Sequence, residues 1–488
     1  MSPALKTIVL FHRLELTNLY VDIGRHLGDR MKIIHLAYSD HEVDLLRRSG
    51  VEGPIVHFKD EVRALWRELP VPDPGLLQQI DDTIIEQTQG AFTLNGAIQS
   101  DRGFVSLDNE ECLRLAAAYY RFWDRFVAEN GVDYVIHETP SLLFNVIAAI
   151  ILAKYGGQYL YNIMVPSEAG SLQYLSMHGF DFSCDDIDRA IGQVGSGEIA
   201  VDADRCARFI AEYRKDLSVF LGSSISRNAN LPRLFAGSVR NRLHLALNRR
   251  KFDRHVDNVD YWDLRRNVAG QKLSNLIAYR SGIDFDDFDP SVPYYFYGFQ
   301  LEPEAGVYYQ GHGLYMNQVK LIQNIAAQLP AGTVLYVKDH PHDHGYREAV
   351  DYRRLTQVPN IRLLPSHIPA RQLIQKAQGV MTITGTAGFE AILMGKTVFA
   401  FGKTFYSACP LVVPIRNIRD LREQVYMRRG RQYDDAREIF PFVMAFLAAS
   451  RPGLIDYYGG RSTKYGVDLD ENARKIADML VEKALGTP

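Results

Sequence analysis

Cysteine is scarce in this sequence: Cys112, Cys184, Cys206 and Cys409 stand singly among 488 residues, with no CxxC pair. That excludes a zinc ribbon and a disulfide framework and points to a reducing compartment. An excess of one charge is also lacking. Lys and Arg total 55 against 58 Asp and Glu, a formal net charge of −3, so wholesale nucleic-acid binding gets no support. The longest apolar run, Leu142–Ala153 with Asn145 inside it, falls short of the ~20 residues that cross a bilayer and reads as a buried helix. The N-terminal apolar stretch, Ile8 to Phe11, is too short for a signal peptide and leads straight into His12 and Arg13. The Walker and dinucleotide fingerprints (GxxxxGK[ST], GxGxxG) are absent, as are hydrolase-type Ser/His/Asp spacing and RNP or helix-turn-helix signatures. The expectation is a cytoplasmic protein, soluble or at most peripheral on the inner face of the cytoplasmic membrane.

What is present is an ordinary globular composition, 47% hydrophobic and 23% charged, with a strand-helix-strand rhythm. KTIVLFH, KIIHLAY, VDYVIHE and GQYLYNIMV read as buried strands, with helices near Leu19–Leu27, over Asn109–Asn130 and after Pro140. Residues 58–105, with Pro70, Pro72 and Pro74, are polar and turn-rich and read as an excursion from the sheet. A second series follows Pro290: YYFYGFQ, a helix over Tyr315–Gln328, TVLYVKD, NIRLLP, a helix near Ala370–Ala377, GVMTIT, a glycine loop and TVFAFG. Short connections between such strands favour parallel sheets. The domains expected are 1–290, with a helical, arginine-rich insertion at about 200–275; 291–433; and a helical tail, 434–488, packing back across both. Ligands of doubly wound sheets bind beyond the carboxyl ends of the strands, so residues just past each strand are the candidates.

Three groups pass that filter. In GVMTITGTAGFEAILMGKTVFAFG, small residues let backbone N–H groups at a helix start face a phosphate. Thr384 and Thr386 add hydroxyls beside Gly385 and Gly388, and Glu390 could accept from ribose. In VLYVKDHPHDHG, Lys338 and His340, ahead of Pro341, could serve a leaving phosphate. His340, His342 and His344 beside Asp339 and Asp343 also allow a metal reading. Pro341 and the want of a second ligand cluster argue against it, so no metal and no cofactor is expected. Glu138 and Glu168, each just past a strand, are candidate general bases or nucleophiles. Glu302 and Glu304 are weaker, and Gln300 and Tyr297 are possible ligand contacts. Each has a plain alternative: glycines for packing, Glu390 for the helix dipole, histidines on a surface turn, carboxylates capping helices. Between Asp216 and Asp253 no acidic residue occurs, while Arg227, Arg233, Arg240, Arg242, Arg249, Arg250 and Lys251 accumulate among helically spaced apolar residues. Such a stretch, 227–254, could meet an anionic membrane, or be a solvated face.

Residues 297–406, from KDHP through NIRLLPSHIPARQLIQKAQGVMTITGTAGFEAILMGKTVFAFGKTFY, resemble the nucleotide-sugar half of the capsule polysaccharide biosynthesis family, which is similar to Kdo-transferring enzymes of capsule and lipopolysaccharide assembly. The same order of motifs resembles non-hydrolysing UDP-N-acetylglucosamine 2-epimerases. Both imply a GT-B architecture: two doubly wound Rossmann-type α/β domains facing a cleft. The resemblance implies that His340, Thr384, Gly385 and Thr386 lie at the donor phosphate and Glu390 at the ribose or base. It makes CMP-Kdo or a related CMP-sugar the leading donor, with a glycan or glycolipid acceptor. Two departures bear on this. Ala391 stands where epimerases carry a second glutamate, and Ser167-Glu168-Ala169-Gly170 only partly echoes the base-binding motif of CMP-sugar sialyltransferases. The rivals are a nucleotide-sugar epimerase or hydrolase and a non-catalytic polysaccharide-export protein.

Overall fold

The computed structural model describes residues 5–14, 16–51, 54–70, 72–168, 171–181, 183–215, 283–302, 304–340, 347–455 and 466–485. Between 216 and 282 it describes 236, 239, 240, 243, 247, 255–257, 275, 277–279 and 282. The chain divides into two compact units, Met1–Asp186 with Ala449–Pro488, and Ile187–Ala448.

The first unit is built on β1 (Thr7–His12), β2 (Lys32–Ala37), β3 (Ile55–His57), β4 (Tyr134–Ile136), β5 (Gln158–Val165) and β6 (Gln173–His178). From one edge the order is β3, β2, β1, β4, β5, β6, with the short strand Arg451–Pro452 beyond. β1 to β5 run parallel; β6 and Arg451–Pro452 are antiparallel additions. Every residue of β1 is buried, as a central strand covered on both faces requires. Helix boundaries follow local chemistry. Asp108 and Glu111 form a capping box at the start of Asn109–Asn130, and Gly131, at φ 59°, ends it in the left-handed region. Asn145 interrupts the apolar run of Leu143–Lys154 because its Oδ1 accepts from the Ser141 and Leu142 N–H groups at the helix start. The helix Leu469–Leu485 returns to this unit, burying Ala473, Ile476, Ala477 and Leu480 with Leu19, Ile23 and Leu27 of helix Leu16–Leu27.

The excursion after β3 is more regular than its prolines suggest. It holds the helices Phe58–Glu68, Pro74–Gln87 and Leu94–Gln99. Pro74 is the first residue of its helix, and Asp73 caps it by accepting from the Leu76 N–H at 2.9 Å. A proline there gives up no intrahelical bond, so it starts a helix instead of breaking one.

The second unit holds β7 (Tyr294–Gly298), β8 (Val334–Lys338), β9 (Ile361–Leu364), β10 (Gly379–Thr382), β11 (Thr397–Ala400) and β12 (Val412–Pro414). Their order is β12, β11, β10, β7, β8, β9, all parallel. Successive strands move outward from β7 on one side, then restart beside it with β10. That reversal is the topological switch point where open α/β sheets bind ligands. In the first unit the reversal lies between β1 and β4. The two doubly wound, Rossmann-type α/β units expected from the sequence are present, with a C-terminal helix. Among the described residues no helix is long and apolar enough to cross a membrane.

Candidate active site

Each switch point carries its own cluster. In the second unit the residues leaving β7 and β10 are tied together. Gln300 Oε1 accepts from the Ile383 and Thr384 N–H groups at 3.1 and 3.0 Å, while its amide nitrogen donates to Thr384 Oγ1 at 3.1 Å. Gln318 fixes Gln300 in turn, accepting from its N–H and donating to its carbonyl. The Thr384 hydroxyl donates to the Gly306 carbonyl at 2.9 Å and is buried. It therefore holds the loop together from inside. The Gly385 N–H donates to Thr382 Oγ1 at 2.9 Å, and the Gly385 carbonyl accepts from the Tyr406 hydroxyl at 2.6 Å. Gly388 lets Tyr406 approach; a Cβ there would stand 2.7 Å from the phenol Cζ.

The outer side of the same turn differs. Thr386 is exposed, with Gly385 and Ala387 half-buried. Gly385 is the N-cap of helix Thr386–Leu393, so the N–H groups of Thr386 and Ala387 fall in the first turn, where no intrahelical acceptor exists. This is the part of the glycine turn chemically suited to an anion.

Glu390, one turn further on, is buried. Its Oε1 lies 3.4 Å from Arg371 Nε and accepts from the Tyr213 hydroxyl at 3.3 Å. Arg371 lies over the Tyr213 ring at 3.7 Å and donates to the Tyr213 carbonyl. Burial raises the Glu390 carboxyl above its ordinary value, and Arg371, Tyr213 and Lys338 offset this only in part. Tyr213 comes from helix Ala203–Lys215, within the second unit, where Arg214 also donates to the Leu393 carbonyl at 2.7 Å. Lys338 ends β8, buried, its ammonium donating to the Asp339 carbonyl at 3.1 Å. Burial pushes it down to about 8, against the pull of Asp339 and Glu390. His340 is half-buried two residues beyond β8. Pro341, His342, Asp343 and His344 lie outside the described residues. Glu302 accepts from Gln318 and pairs with Arg347 at 3.0 Å; Glu304 is exposed at the start of the short helix Ala305–Tyr308.

In the first unit Glu138, just past β4, pairs with Arg13, just past β1. The two stand on either side of the switch point. Arg13 is buried and lies over the Tyr38 ring at 4.8 Å, with Lys59 over the same ring at 4.6 Å. Burial alone would raise the Glu138 carboxyl, but Arg13, helped by His137 and Arg102, holds it below its ordinary value. Arg102 is delivered by the helical excursion, where it donates to the Ser141 carbonyl, and Asp101 caps helix Leu143–Lys154 through the Leu143 N–H. His137 is fully buried, stacked on Phe11 with ring centroids 4.0 Å apart. Its Nδ1 lies 2.9 Å from the Phe11 carbonyl, which can only accept, so Nδ1 carries the proton. Nε2 then presents a lone pair 3.9 Å from Glu138 Oε1. Burial keeps this imidazole neutral, pushing it down to about 4. Glu168 is half-buried in the turn after β5, its carbonyl accepting from Ser171. Among the described residues, Asp40, His57 and Asp60 could offer metal ligands; they lie near the surface, and His57 already caps helix Phe58–Glu68 by accepting from the Asp60 N–H at 3.1 Å.

The filter that selected Glu138 also selects Arg13, the residue after β1, which was legible and not singled out. Nothing in the sequence pairs Glu390 with Arg371 and Tyr213.

Residues 251–413 match the model of a family described as capsule polysaccharide biosynthesis protein. The match spans residues 297–406, the stretch whose motifs resemble that family. No curated protein matches the chain. Among solved structures it is similar to a Thermosulfurimonas dismutans KpsC, beta Kdo 2,7 transferase, at 11% identity over 74% of this chain and 89% of that one, TM-score 0.32. It is also similar to a UDP-GlcNAc 2-epimerase from Methanocaldococcus jannaschii, at 10% identity over 91% of this chain and 98% of that one, TM-score 0.24. A glycosyltransferase from Rickettsia africae matches at 8% identity over 99% and 100%, TM-score 0.27.

Proposed function

We propose that the chain is a GT-B glycosyltransferase of bacterial surface-polysaccharide synthesis. It moves a sugar from a nucleotide donor held by the second unit to a glycan or glycolipid acceptor held by the first. The leading donor is CMP-Kdo or a related CMP-activated acid sugar. One observation carries the reading: within the capsule-family segment, a glycine turn at the switch point of a wholly parallel sheet opens a helix whose first residue, Thr386, is exposed.

The chemistry follows from the donor. A sugar-phosphate bond is already activated, so the enzyme must stabilise the charge of the departing phosphate and deal with the acceptor's proton. The N–H groups of Thr386 and Ala387, the Thr386 hydroxyl and His340 suit the first task. Glu138 suits the second. Arg13 keeps it ionised at neutral pH, ready to accept a hydrogen bond from an acceptor hydroxyl; Glu168 is the other carboxylate past a strand end. Neither role draws on a metal.

Calorimetric titration with CMP, UDP and GDP tests the reading and names the base. Binding of one nucleotide is expected. Donor turnover is expected only with acceptor present, and Glu138→Gln and His340→Ala are expected to abolish it in folded protein. A chain that binds none of the three is no transferase, and donor consumed without acceptor would make it an epimerase or hydrolase.

A further inference from the structure

We propose that the second unit carries a docking face for an acidic polysaccharide, a stripe of Arg419, Arg422, Tyr426 and Arg429 on the helix that follows β12. The arginine-rich stretch 227–254 lies outside the described residues except at 236, 239, 240, 243 and 247. A second cationic run is described throughout. From Val412 to Tyr433 the chain holds six arginines (Arg416, Arg419, Arg422, Arg428, Arg429 and Arg431) against Asp420 and Glu423, in a protein of net charge −3. Helix Asp420–Arg428 is held on the core of the unit by Leu421 and Val425. Arg419 precedes it in helical conformation and Arg429 follows it. At 100° per residue, Arg419, Arg422, Tyr426 and Arg429 fall within an arc of about 80°, spread over about 15 Å of helix. All four are exposed, Tyr426 by 55%.

The arginines of the stripe are uncommitted. Arg428 donates to Gln424 and Arg431 pairs with Glu438. Arg416, Arg419, Arg422 and Arg429 make no ion pair and no side-chain hydrogen bond among the described residues. Arg419 and Glu423 stand four apart, the spacing at which helix ion pairs form, and do not pair. Three guanidinia in line are three forks for carboxylates, each able to give two parallel N–H bonds. Tyr426, between Arg422 and Arg429, adds a ring whose negative face attracts the C–H face of a sugar. That alternation fits a polymer of sugars carrying carboxylates at intervals. The flank decides against other anions. Glu423 borders the stripe, where it can accept from sugar hydroxyls and repels a phosphodiester chain charged at every residue. A bilayer needs an apolar face to enter, and the centre of this one is a single tyrosine among arginines. The stripe shares no residue with the donor and acceptor sites.

The test uses the full chain, without nucleotide, in calorimetric titration with alginate, a polyuronate, and with dextran, a neutral glucan. Alginate is expected to bind about tenfold tighter than dextran, by an affinity that falls as salt shortens the reach of the charges. Arg419→Gln with Arg422→Gln should weaken alginate binding about tenfold without changing the melting temperature, because both side chains are exposed and unpaired. Tyr426→Ser should weaken it about threefold at low and at high salt alike, since stacking is not screened. A chain that binds alginate through the stripe but no nucleotide would bear out this face and lose the transferase reading alone. The proposal is overturned if alginate binds no tighter than dextran, or if the arginine variant binds it as the wild type does. It is also overturned if oligo-dT or phosphatidylglycerol vesicles bind as tightly as alginate and are released by the same variant.

Discussion

His137 makes the first unit sensitive to acid over a defined pH range. The imidazole is fully buried, stacked on Phe11, with its one proton committed to the Phe11 carbonyl. Burial pushes it from an ordinary 6.5 down to about 4. The unfolded chain therefore takes up a proton as pH falls through 6.5, while the folded chain refuses it until about 4. Stability is lost in that interval as pH falls and is regained as it rises. At pH 5 the linkage relation gives a loss of about 2 kcal/mol from this residue alone, and at pH 7.5 almost none. Glu138 works in a lower window: Arg13 holds its carboxyl below the ordinary value, so its contribution disappears only under more acid conditions. His12 is also pushed down, by burial and then by His35, and stays in any His137 variant as a common background. The assay is urea unfolding of wild type and His137→Asn at several points between pH 5 and 7.5. Asparagine can keep the bond to Phe11 and cannot titrate. The wild type should lose about 2 kcal/mol more than the variant across that range. Parallel curves would refute a neutral buried His137, whatever the variant's own stability.

Further outcomes follow from the second unit. Gly388→Ala places a Cβ against the Tyr406 ring, and should cost about 1–3 kcal/mol in thermal unfolding; Gly388→Ala with Tyr406→Leu should recover part of it. Arg371→Leu strands the buried Glu390 carboxylate and should destabilise by about 3 kcal/mol, read in denaturant unfolding. Adding Glu390→Gln should restore most of that loss, since an amide needs no counter-charge. An equally large loss in the double variant would mean that Arg371 acts through packing on Tyr213.

How far the sequence carried depended on whether a feature is local. The limits of helix Asn109–Asn130 were legible because Asp108, Glu111 and Gly131 write both caps into the chain. The central strands were legible because strands covered on both faces are continuous apolar runs. Helix Pro74–Gln87 was not, because its proline was weighed as a breaker when Asp73 makes it a starter. Strand β6 was missed for a different reason. Gln173–His178 is an antiparallel addition whose sequence carries no sign of its neighbour β5. The site divides in the same way. Residues at or just past strand ends (Glu138, Glu168, Lys338, Thr384) were found by position. What surrounds them was hidden by sequence distance: Arg13 pairs with Glu138 across 125 positions, and Tyr213 meets Glu390 across 177. Thr384 shows the limit of the positional rule. It lies where the rule points, yet its hydroxyl donates to Gly306 and its neighbours Gln300 and Gly402 enclose it. Burial separates it from Thr386, two residues on, and burial is not written in a loop.

The most direct test of the account is nucleotide titration of Thr386→Asp. Thr386 is exposed at the first position of helix Thr386–Leu393, where a carboxylate complements the helix dipole, so the fold should be unharmed or slightly stabilised. The same carboxylate would stand where the donor phosphate is proposed to sit. The account predicts that the nucleotide bound by the wild type is bound at least tenfold more weakly by this variant, with an unchanged or higher melting temperature. Undiminished binding in the folded variant would contradict it.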